Sequence, residues 1–259
     1  MNDQMNPSPN RSKAVVTGAA SGIGYALSVQ LSARGRQVIM VDRDPRVVPL
    51  SADIHGAEAC VANLATEQDL SHVKSLAQSS DVNWVVNCAG IGFRSNIGST
   101  RPSSLANLVA LNIHALTQLS EAAIINFRSA GEGVLVNISS SAAFQPLPGM
   151  AAYGASKAYV LSFSEALAAE NTNPAIIVLT ICPSGVETNF QKSAGVQRVS
   201  GERLLTAEEV AAAILRGANR RRSQTIMIGV RSFHMSLLAR LLPRSINIRL
   251  WKRLMNAMR

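Results

Sequence analysis

A glycine-rich turn between a short apolar run and a helical pattern constrains the fold of this chain more than any other feature. Residues 14–17 predict a buried strand, and an amphipathic pattern typical of a helix follows to about residue 33. The turn has the order Gly-x-x-x-Gly-x-Gly, and its candidate ligand-binding residues are Gly18, Ser21, Gly22, Ile23 and Gly24. A strand that leads through such a turn into a helix is typical of a dinucleotide-binding sheet.

The three glycines have a physical use at this point of the chain. Gly18 can turn sharply where a side chain would clash, and Gly22 and Gly24 let the backbone come close to a pyrophosphate. The N-terminus of the following helix would supply N–H groups and a partial positive charge to the phosphates. The alternative is a tight turn that binds no ligand, but the strand before it and the helix after it favour a phosphate site.

An acidic residue at the end of the second predicted strand bears on the choice of cofactor. Asp42 follows Gly24 by 18 residues, close to the spacing of about 20 expected for an acid that binds the adenosine ribose hydroxyls. Asp42 would repel a 2′-phosphate and therefore favours NAD. Arg43 comes directly after it and could accept a 2′-phosphate, so NADP stays the alternative. Without a ligand, Asp42 would be an ordinary turn residue.

Apolar runs alternate with helical patterns along most of the chain. The predicted strands are 14–17, 37–41, 58–62, 82–87, 133–138, 175–181 and 224–228. Strand, helix and strand in repetition predict a parallel sheet covered on both faces. The 259 residues, 47% of them apolar, suffice for one large core. We therefore expect a disordered lead-in at residues 1–12 and a single α/β domain at 13–230, with a Rossmann-type, doubly wound, seven-stranded parallel sheet.

Tyr153 and Lys157 are separated by about one helical turn. On a helix their side chains would lie on one face, with Cβ atoms roughly 5–6 Å apart. A phenol titrates near pH ~10, and a fixed ammonium beside it would favour the phenolate and lower its pKa. This spacing alone also arises by chance, so its place downstream of a cofactor-type turn is what makes the pair a candidate for acid–base chemistry.

With these motifs the chain resembles the short-chain dehydrogenase/reductase family over roughly residues 13–230. The motifs that carry the resemblance occur in family order: residues 17–24, Asn87-Cys88-Ala89-Gly90, Asn112, Ser140, Tyr153 with Lys157, and residues 182–188. The resemblance implies an NAD(P)-dependent oxidoreductase that transfers a hydride between a nicotinamide cofactor and a carbonyl or secondary alcohol.

The resemblance implies a catalytic role for four residues. Tyr153 would be the general acid or base, and Lys157 would hold the nicotinamide ribose and lower the pKa of Tyr153. Ser140 would hydrogen-bond the substrate oxygen and stabilise its developing charge. Asn112 would hold a water that links Lys157 to solvent.

It also implies cofactor contacts beyond the glycine turn. These would come from Asn63, Leu64, Asn87, Ala89, Gly90, Pro183, Gly185, Val186 and Thr188, and from Tyr153 and Lys157 themselves. The chain departs from the family pattern at Cys88, at Asn63 and at Ser184. A serine at position 184 would be strained if that position needs a positive φ. None of the departures removes a catalytic group, and the four histidines show no metal-ligand spacing.

The positive charge is concentrated at the C-terminal end. The formal net charge is +9, but residues 210–259 hold 11 of the 25 basic residues and none of the 16 acidic ones. Within residues 231–259, apolar stripes at helical spacing accompany the cations, which predicts a basic amphipathic helical segment. This segment could pack on its own domain or on a dimer partner, or it could lie on an anionic membrane surface. Nucleic-acid binding is not expected, because no recognition motif accompanies the charge.

The remaining patterns concern the location of the protein and its substrate. Three cysteines without a Cys-x-x-Cys spacing, the lack of an apolar signal region and the lack of an apolar run of ~18 residues favour a cytoplasmic protein, at most peripheral to a membrane. Apolar residues in 93–97, 142–150 and 189–205 predict a medium or large apolar ketone or secondary alcohol; they include Phe93, Phe144, Leu147, Met150 and Phe190.

Two further expectations concern the oligomeric state and the alternative to an enzyme. The resemblance implies a homodimer or homotetramer that pairs the helices near 102–129 and 151–170. A protein of another class, a regulatory or interaction protein that binds the cofactor on the same fold, is the alternative to an enzyme. The intact Ser140, Tyr153 and Lys157 favour the enzyme.

Overall fold

The computed structural model describes residues 12–188, 190 and 203–257, and it shows one seven-stranded sheet with helices on both faces. The strands are β1 (Lys13–Thr17), β2 (Gln37–Asp42), β3 (Ala57–Val61), β4 (Val82–Asn87), β5 (Gly133–Ile138), β6 (Ile176–Pro183) and β7 (Gln224–Ile228). Their order in the sheet is β3-β2-β1-β4-β5-β6-β7, and every neighbouring pair is parallel. The expected doubly wound fold is therefore confirmed, with each strand within two residues of its predicted bounds.

The helices follow the strands in alternation. They are α1 (Gly22–Ser32), α2 (Val47–Ala52), α3 (Glu67–Ala77), α4 (Pro102–Val109), α5 (Leu116–Ala130), α6 (Ala151–Glu170), α7 (Ala207–Asn219), α8 (Val230–Leu241) and α9 (Arg244–Ala257). A π-helical turn, Ala110–Ala115, joins α4 to α5, and a short 3-10 turn, Ser141–Phe144, follows β5.

The strands form this sheet because their side chains can be buried on both faces. Every residue of β4, β5 and β6 is buried, which is the pattern of a central parallel strand rather than an alternating one. One apolar core lies on the face covered by α1 and α7, and a second lies on the face covered by α3 and α5. This arrangement leaves the carboxyl ends of the strands as the edge where loops can bind ligands.

The strand order reverses between β1 and β4, and a buried hydroxyl joins the two strands at that point. Thr17 Oγ1 donates to the carbonyl of Val86 at 3.1 Å. The same oxygen accepts hydrogen bonds from the backbone N–H groups of Cys88 at 3.0 Å and Ala89 at 3.1 Å. The loops after β1 and β4 are therefore fixed against each other, at the point where doubly wound sheets bind their ligands.

The basic C-terminal segment forms two helices rather than one. Both pack on the domain: Met235 of α8 and Trp251 and Met255 of α9 are buried together against Leu147. Part of the predicted apolar stripe instead faces outward, because Phe233 and Leu241 of α8 are 53% and 70% exposed. The segment thus packs on its own domain through one face and exposes apolar groups on another.

One described helical stretch, from Pro102 to Ala130, is long and apolar enough to cross a membrane by length and composition. The count of consecutive apolar residues in the sequence did not single it out. Half of its most apolar part is buried inside the domain, where α5 packs on β4 and β5. That packing accounts for the buried half of its apolar residues.

Candidate active site

A cleft of about 570 Å³ lies at the carboxyl ends of the strands, within the usual size range of ligand pockets. One end is formed by the glycine turn together with Asp42 and Arg43. The other end is formed by Tyr153, Lys157 and Phe190. The cleft therefore joins the predicted cofactor turn to the predicted catalytic pair.

The structure gives each glycine of the turn a steric reason. Gly18 has φ +69°, and an added Cβ would lie 2.9 Å from the backbone of Ala89. A Cβ on Gly24 would lie 2.3 Å from the carbonyl oxygen of Gly18. Gly22 has φ +54°, and its Cβ would lie 2.9 Å from Cγ2 of Thr188. Any larger residue would therefore push the turn, the β4 loop and the β6 loop apart.

The N-terminus of α1 fits a phosphate group. Its N-cap residue, Ser21, makes no side-chain capping hydrogen bond, and the first turn of α1 contains no acidic residue. The first N–H groups of a helix have no partner within the helix and carry a partial positive charge. Because Ser21, Gly22 and Ile23 line the cleft, this charge is directed at an anion that would lie in it.

Backbone N–H groups hold the Asp42 carboxylate in place at the carboxyl end of β2. Its Oδ2 accepts from the N–H of Ala20 at 2.9 Å, and its Oδ1 accepts from the N–H of Asp44 at 3.0 Å. Arg43 is exposed and lines the same end of the cleft. Arg46 is also there, but its guanidinium pairs with the carboxylate of Asp44, with Nε 2.9 Å from Oδ2.

The predicted catalytic residues meet at the far end of the cleft. Ser140 follows β5 and lines the cleft beside Tyr153, and its hydroxyl accepts from the N–H of Ala142 at 3.1 Å. Lys157 follows Tyr153 by one turn of α6, and its Nζ lies 5.9 Å from the centre of the Tyr153 ring. The Lys157 ammonium donates to the carbonyl of Ile138 at 2.8 Å. A hydroxyl pair and a cation therefore converge on one apolar pocket.

Burial shifts both titratable groups toward their neutral forms. It raises the pKa of Tyr153 to about 12, although the hydrogen bond with Ser140 acts in the opposite direction. It lowers the pKa of Lys157 to about 8. The pKa of Tyr153 is therefore shifted upward, opposite to the lowering expected from Lys157, because desolvation of the buried phenol is the largest effect on it.

The family is shown by comparison with known proteins. The family model described as short chain dehydrogenase matches residues 12–198. The chain belongs to the short-chain dehydrogenase family. A curated relative, 17-beta-hydroxysteroid dehydrogenase type 3 of Mus musculus, is 31% identical over 188 residues, which cover 69% of this chain and 61% of that protein. The chain thus aligns with less than two thirds of that relative.

Solved structures of other short-chain dehydrogenases have the same fold. A short-chain dehydrogenase from Sphingobium yanoikuyae in complex with NADPH has a TM-score of 0.78 and 30% identity, covering 83% of this chain and 87% of that chain. A 3-ketoacyl-(acyl-carrier-protein) reductase from Brucella melitensis complexed with NADH has a TM-score of 0.77 and 27% identity, covering 87% and 100%. The two cofactors differ, so these neighbours support a nicotinamide cofactor without choosing between NAD and NADP.

Most predicted site residues of this short-chain dehydrogenase line the cleft. The glycine turn contributes Gly18, Ser21, Gly22 and Ile23, and the other segments contribute Asp42, Arg43, Asn63, Leu64, Ala89, Gly90, Ser140, Tyr153, Lys157, Pro183, Gly185, Val186 and Thr188. The exposed Asn63 uses its side-chain oxygen to accept from the N–H of Ala65 at 3.2 Å. An asparagine at position 63, in place of the acidic residue common in the family, thus leaves the local turn intact.

Three predicted residues lie behind the wall of the cleft. Gly24 packs against Gly18. Asn112, in the π-helical turn, accepts from the N–H of Ile91 at 2.9 Å and donates to its carbonyl at 2.8 Å, so it fixes the loop after β4. Asn87 is buried, and its amide donates to Asn137 at 2.8 Å. The prediction that Asn87 lines the cleft with residues 88–90 is therefore corrected, because the cleft reaches Cys88, Ala89 and Gly90 but not Asn87.

Asn87 belongs to a buried polar network that sequence reasoning missed. Asn137, its partner in the β4–β5 register, donates to Ser164 of α6 at 2.9 Å, and Ser120 of α5 donates to Asn137 at 3.3 Å. The only signal in the sequence is an asparagine near the end of each of two apolar strands. Ser139, which precedes Ser140 in the sequence, donates to the carbonyl of Lys157 at 2.7 Å and so links β5 to α6.

The departures from the family pattern are accommodated without strain. Ser184 does not have a positive φ: among the described residues, Arg221 is the one non-glycine residue that does. Burial raises the pKa of Cys88 to about 12, so this thiol in the cleft stays protonated. The residues described here contain no group of three or more His, Cys, Asp or Glu that could hold a metal ion.

The substrate end is apolar, as predicted, but its composition differs in part. Ala142, Leu147, Met150 and Phe190 line the cleft, and the Phe190 ring lies 5.3 Å from that of Tyr153. Phe144, at the end of the 3-10 turn, does not line it. Phe93 packs in the same apolar cluster as Tyr153 without lining the cleft. Residues 189 and 191–202 of the predicted wall lie outside the described residues.

Proposed function

We propose that this protein is an NAD(P)-dependent oxidoreductase that transfers a hydride between a nicotinamide cofactor and a carbonyl or secondary alcohol carbon. The observation that supports it is the convergence of Ser140, Tyr153 and Lys157 at one end of a cleft whose other end is the glycine turn and the N-terminus of α1. The names of the relatives, dehydrogenases and reductases, support the same reaction class.

The residues at the catalytic end divide the chemistry between them. A bound reduced nicotinamide would supply the hydride to the carbonyl carbon. Tyr153, protonated at neutral pH because its pKa is about 12, donates the proton to the carbonyl oxygen. Ser140 donates a hydrogen bond to that oxygen and stabilises its developing negative charge.

Lys157 and Asn112 support this proton transfer from behind. Lys157 would hold the cofactor ribose, and it provides a positive charge one helical turn away from Tyr153. A Cβ added to Gly90 would lie 3.3 Å from Asn112 Oδ1 and 3.5 Å from Lys157 Nζ. Glycine therefore keeps open the space between the two side chains, where a water linking Lys157 to solvent would lie.

The adenosine end favours NAD over NADP. The fixed Asp42 carboxylate would accept from ribose hydroxyls and repel a 2′-phosphate, and Arg46 is engaged by Asp44. NADP stays the alternative because of Arg43. Among the described residues near Asp42, this exposed arginine is the one placed to accept a 2′-phosphate. Titration with NADH and NADPH, followed by nicotinamide fluorescence, tests the preference and the presence of the cofactor site together.

We expect Asp42→Asn to shift this preference toward NADPH. Removal of the negative charge should improve NADPH binding relative to NADH by about tenfold or more, because a like-charge contact costs several kcal/mol. Asp53→Asn, an equal charge change at an exposed residue that does not line the cleft, serves as the control. An unchanged ratio of the two dissociation constants in Asp42→Asn would show that Asp42 does not face the 2′ position.

The substrate end supports a medium or large apolar ketone or secondary alcohol. Its walls carry Leu147, Met150 and Phe190, and the steroid dehydrogenase relative acts by its name on a large apolar alcohol. Rates with hydrophobic ketones against a small charged keto acid test this assignment, and a preference for the keto acid would contradict it.

The long helices support a homodimer or homotetramer. On the helices from Pro102 to Ala130 and in α6, Val109, Ile125 and Tyr159 are 49%, 54% and 36% exposed. These apolar groups would be buried if the helices paired with those of a second copy. The mass in solution, measured by light scattering, distinguishes this assembly from a monomer.

The C-terminal helices support peripheral contact of this otherwise cytoplasmic protein with an anionic membrane surface. The exposed face of α8 carries Phe233, Leu237 and Leu241. The neighbouring α9 exposes four cations, Arg244, Arg249, Lys252 and Arg253, and no acid occurs in residues 210–259 to offset them. Apolar groups beside cations match the interface of an anionic bilayer.

We expect the triple variant Phe233→Ser/Leu237→Ser/Leu241→Ser to bind anionic vesicles at least about tenfold more weakly than the wild type, since each buried apolar side chain contributes about 1 kcal/mol or more. Flotation with phosphatidylglycerol-containing vesicles measures this. Val48→Ser, at a 50% exposed position of α2, is the matched control. Equal flotation of triple variant and wild type, or no flotation of the wild type, would contradict membrane contact.

A further inference from the structure

The C-terminal helices contact the walls of the substrate end, which lie far from them in sequence. Leu147 lines the cleft and packs in the apolar cluster that contains Tyr153 and Met150. The same side chain also packs against the buried cluster of Met235, Trp251 and Met255. A single leucine thus has the catalytic pocket on one side and the C-terminal helices on the other.

A polar contact joins α9 to the loop after β4, next to the substrate end. Arg94 donates through Nη2 to the backbone carbonyl of Met255 at 3.1 Å. This carbonyl belongs to the last turn of α9, where carbonyl groups have no partner within the helix and attract cations. Arg94 follows Phe93, which packs in the cluster around Tyr153. The loop after β4 is therefore attached to the end of α9.

The loop at 92–97 also contacts residues 141–150, and residues 141–150 contact α8. The N–H of Ser95 donates to the carbonyl of Gly149 at 2.7 Å. Gln145, which is 7% exposed, donates to the carbonyl of Ser141 at 2.8 Å, and its Nε2 lies 4.0 Å from the sulfur of Met235. The loops at 92–97 and 141–150 and the two C-terminal helices therefore form one packed unit around the substrate end.

We infer that α8 and α9 position the substrate walls, with Trp251 as the principal positioning residue, and that this packing sets the enzyme's preference for bulky over compact ketones. The inference rests on the proposed function, because it names what shapes the substrate site of that reaction. Trp251 is the largest side chain behind Leu147 and is 8% exposed. Its removal would let Leu147 move away from the pocket without touching Ser140, Tyr153, Lys157 or the cofactor end.

The test compares Trp251→Ala with Trp251→Phe and with Ile248→Ala, an exposed position on the same helix. Reduction of benzophenone and of cyclohexanone with NADH is measured for each variant, together with the dissociation constant of NADH. We expect Trp251→Ala to lower kcat/KM for benzophenone by about tenfold, mainly through KM, as a misshapen apolar pocket does. Cyclohexanone reduction and NADH binding should stay within about twofold. Trp251→Phe should restore most of the loss, and Ile248→Ala should have no effect.

Amide hydrogen exchange of residues 141–150 provides a readout that needs no turnover. It should be faster in Trp251→Ala than in the wild type and unchanged in Ile248→Ala. Unchanged exchange in Trp251→Ala, or an equal loss of activity on both ketones together with weaker NADH binding, would overturn the inference. A wild-type protein that reduces neither ketone with NADH or NADPH would instead contradict the proposed function, and hydrogen exchange would then decide the inference alone.

Discussion

Tyr153→Phe is expected to lower kcat by about 10³-fold while it leaves the dissociation constant of NADH nearly unchanged. The substitution removes only the hydroxyl that donates the proton, a contribution of about 10²–10⁴ in such reactions. The ring that packs on Phe190 at 5.3 Å is kept, so the pocket should retain its shape. Initial rates of NADH oxidation with an apolar ketone, and a fluorescence titration with NADH, measure the two quantities.

Tyr159→Phe is the matched control for this variant. It removes a hydroxyl from the same helix, where Tyr159 is 36% exposed and hydrogen-bonded to Thr117 at 2.9 Å, and its rate should equal that of the wild type. A protein that only binds the cofactor, as a regulatory or interaction protein would, has no use for the Tyr153 hydroxyl. A function that survives Tyr153→Phe unaltered would therefore not be the proposed enzymatic one.

Lys157→Met is expected to abolish turnover and, at pH 7, to stabilise the fold. Burial lowers the pKa of Lys157 from 10.5 to about 8, and at 1.36 kcal/mol per pKa unit the buried ammonium destabilises the folded state by about 3 kcal/mol. Loss of the hydrogen bond from the charged Nζ to the Ile138 carbonyl opposes this by about 1.5–3 kcal/mol. The net gain of up to about 1.5 kcal/mol should raise Tm by at most roughly 6 °C for a domain of this size.

The stabilisation should depend on pH in a defined direction. Below pH 8 the lysine is protonated in both the folded and the unfolded state, so its burial penalty is fully present. Above pH 10.5 it is neutral in both states and the penalty is absent. The Met variant should thus be more stable than the wild type at pH 7, and this advantage should vanish, or reverse through the lost hydrogen bond, near pH 10.5.

Thermal unfolding at the two pH values measures this difference, with Lys252→Met as the control. Lys252 is exposed, so its replacement removes the same charge without a burial penalty and should leave Tm nearly unchanged at both values. A Lys157→Met protein that is less stable than the wild type at pH 7 would mean that the ammonium is better solvated or better paired than its burial indicates.

Much of the fold could be predicted because the sequence states it locally. The runs at β4, β5 and β6 are apolar at nearly every position, which only a strand buried on both faces requires. The glycine turn could be recognised because its packing leaves no room for a side chain at three positions, so the sequence shows three glycines at a fixed spacing. An added Cβ at each of them would lie within 2.9 Å of a backbone or side-chain atom. The packing of the C-terminal helices could not be predicted, since periodicity shows that a helix has an apolar face but not which surface covers it.

The site was predictable where a motif fixes a residue on a known element, and less so where burial decides. Tyr153 and Lys157 were found by their spacing, and Ser140 was found through the family resemblance. The burial of Asn87 was missed because the end of a strand can belong to the cleft or to the core, and the hydrogen bond to Asn137 on the neighbouring strand holds Asn87 in the core. The upward shift of the Tyr153 pKa was missed because the sequence shows the nearby cation but not the burial of the phenol, whose desolvation is the largest effect on this pKa.

Transfer of the hydride itself is the most direct test of the central claim. The protein would be incubated with reduced nicotinamide cofactor deuterated at the transferred position of C4, as NADH and separately as NADPH, and with apolar ketones. The proposed function predicts a product alcohol with one deuterium on the carbinol carbon, formed by the wild type and not by Tyr153→Phe. A wild-type protein that binds the cofactor but transfers no deuterium to any ketone of the panel would contradict it.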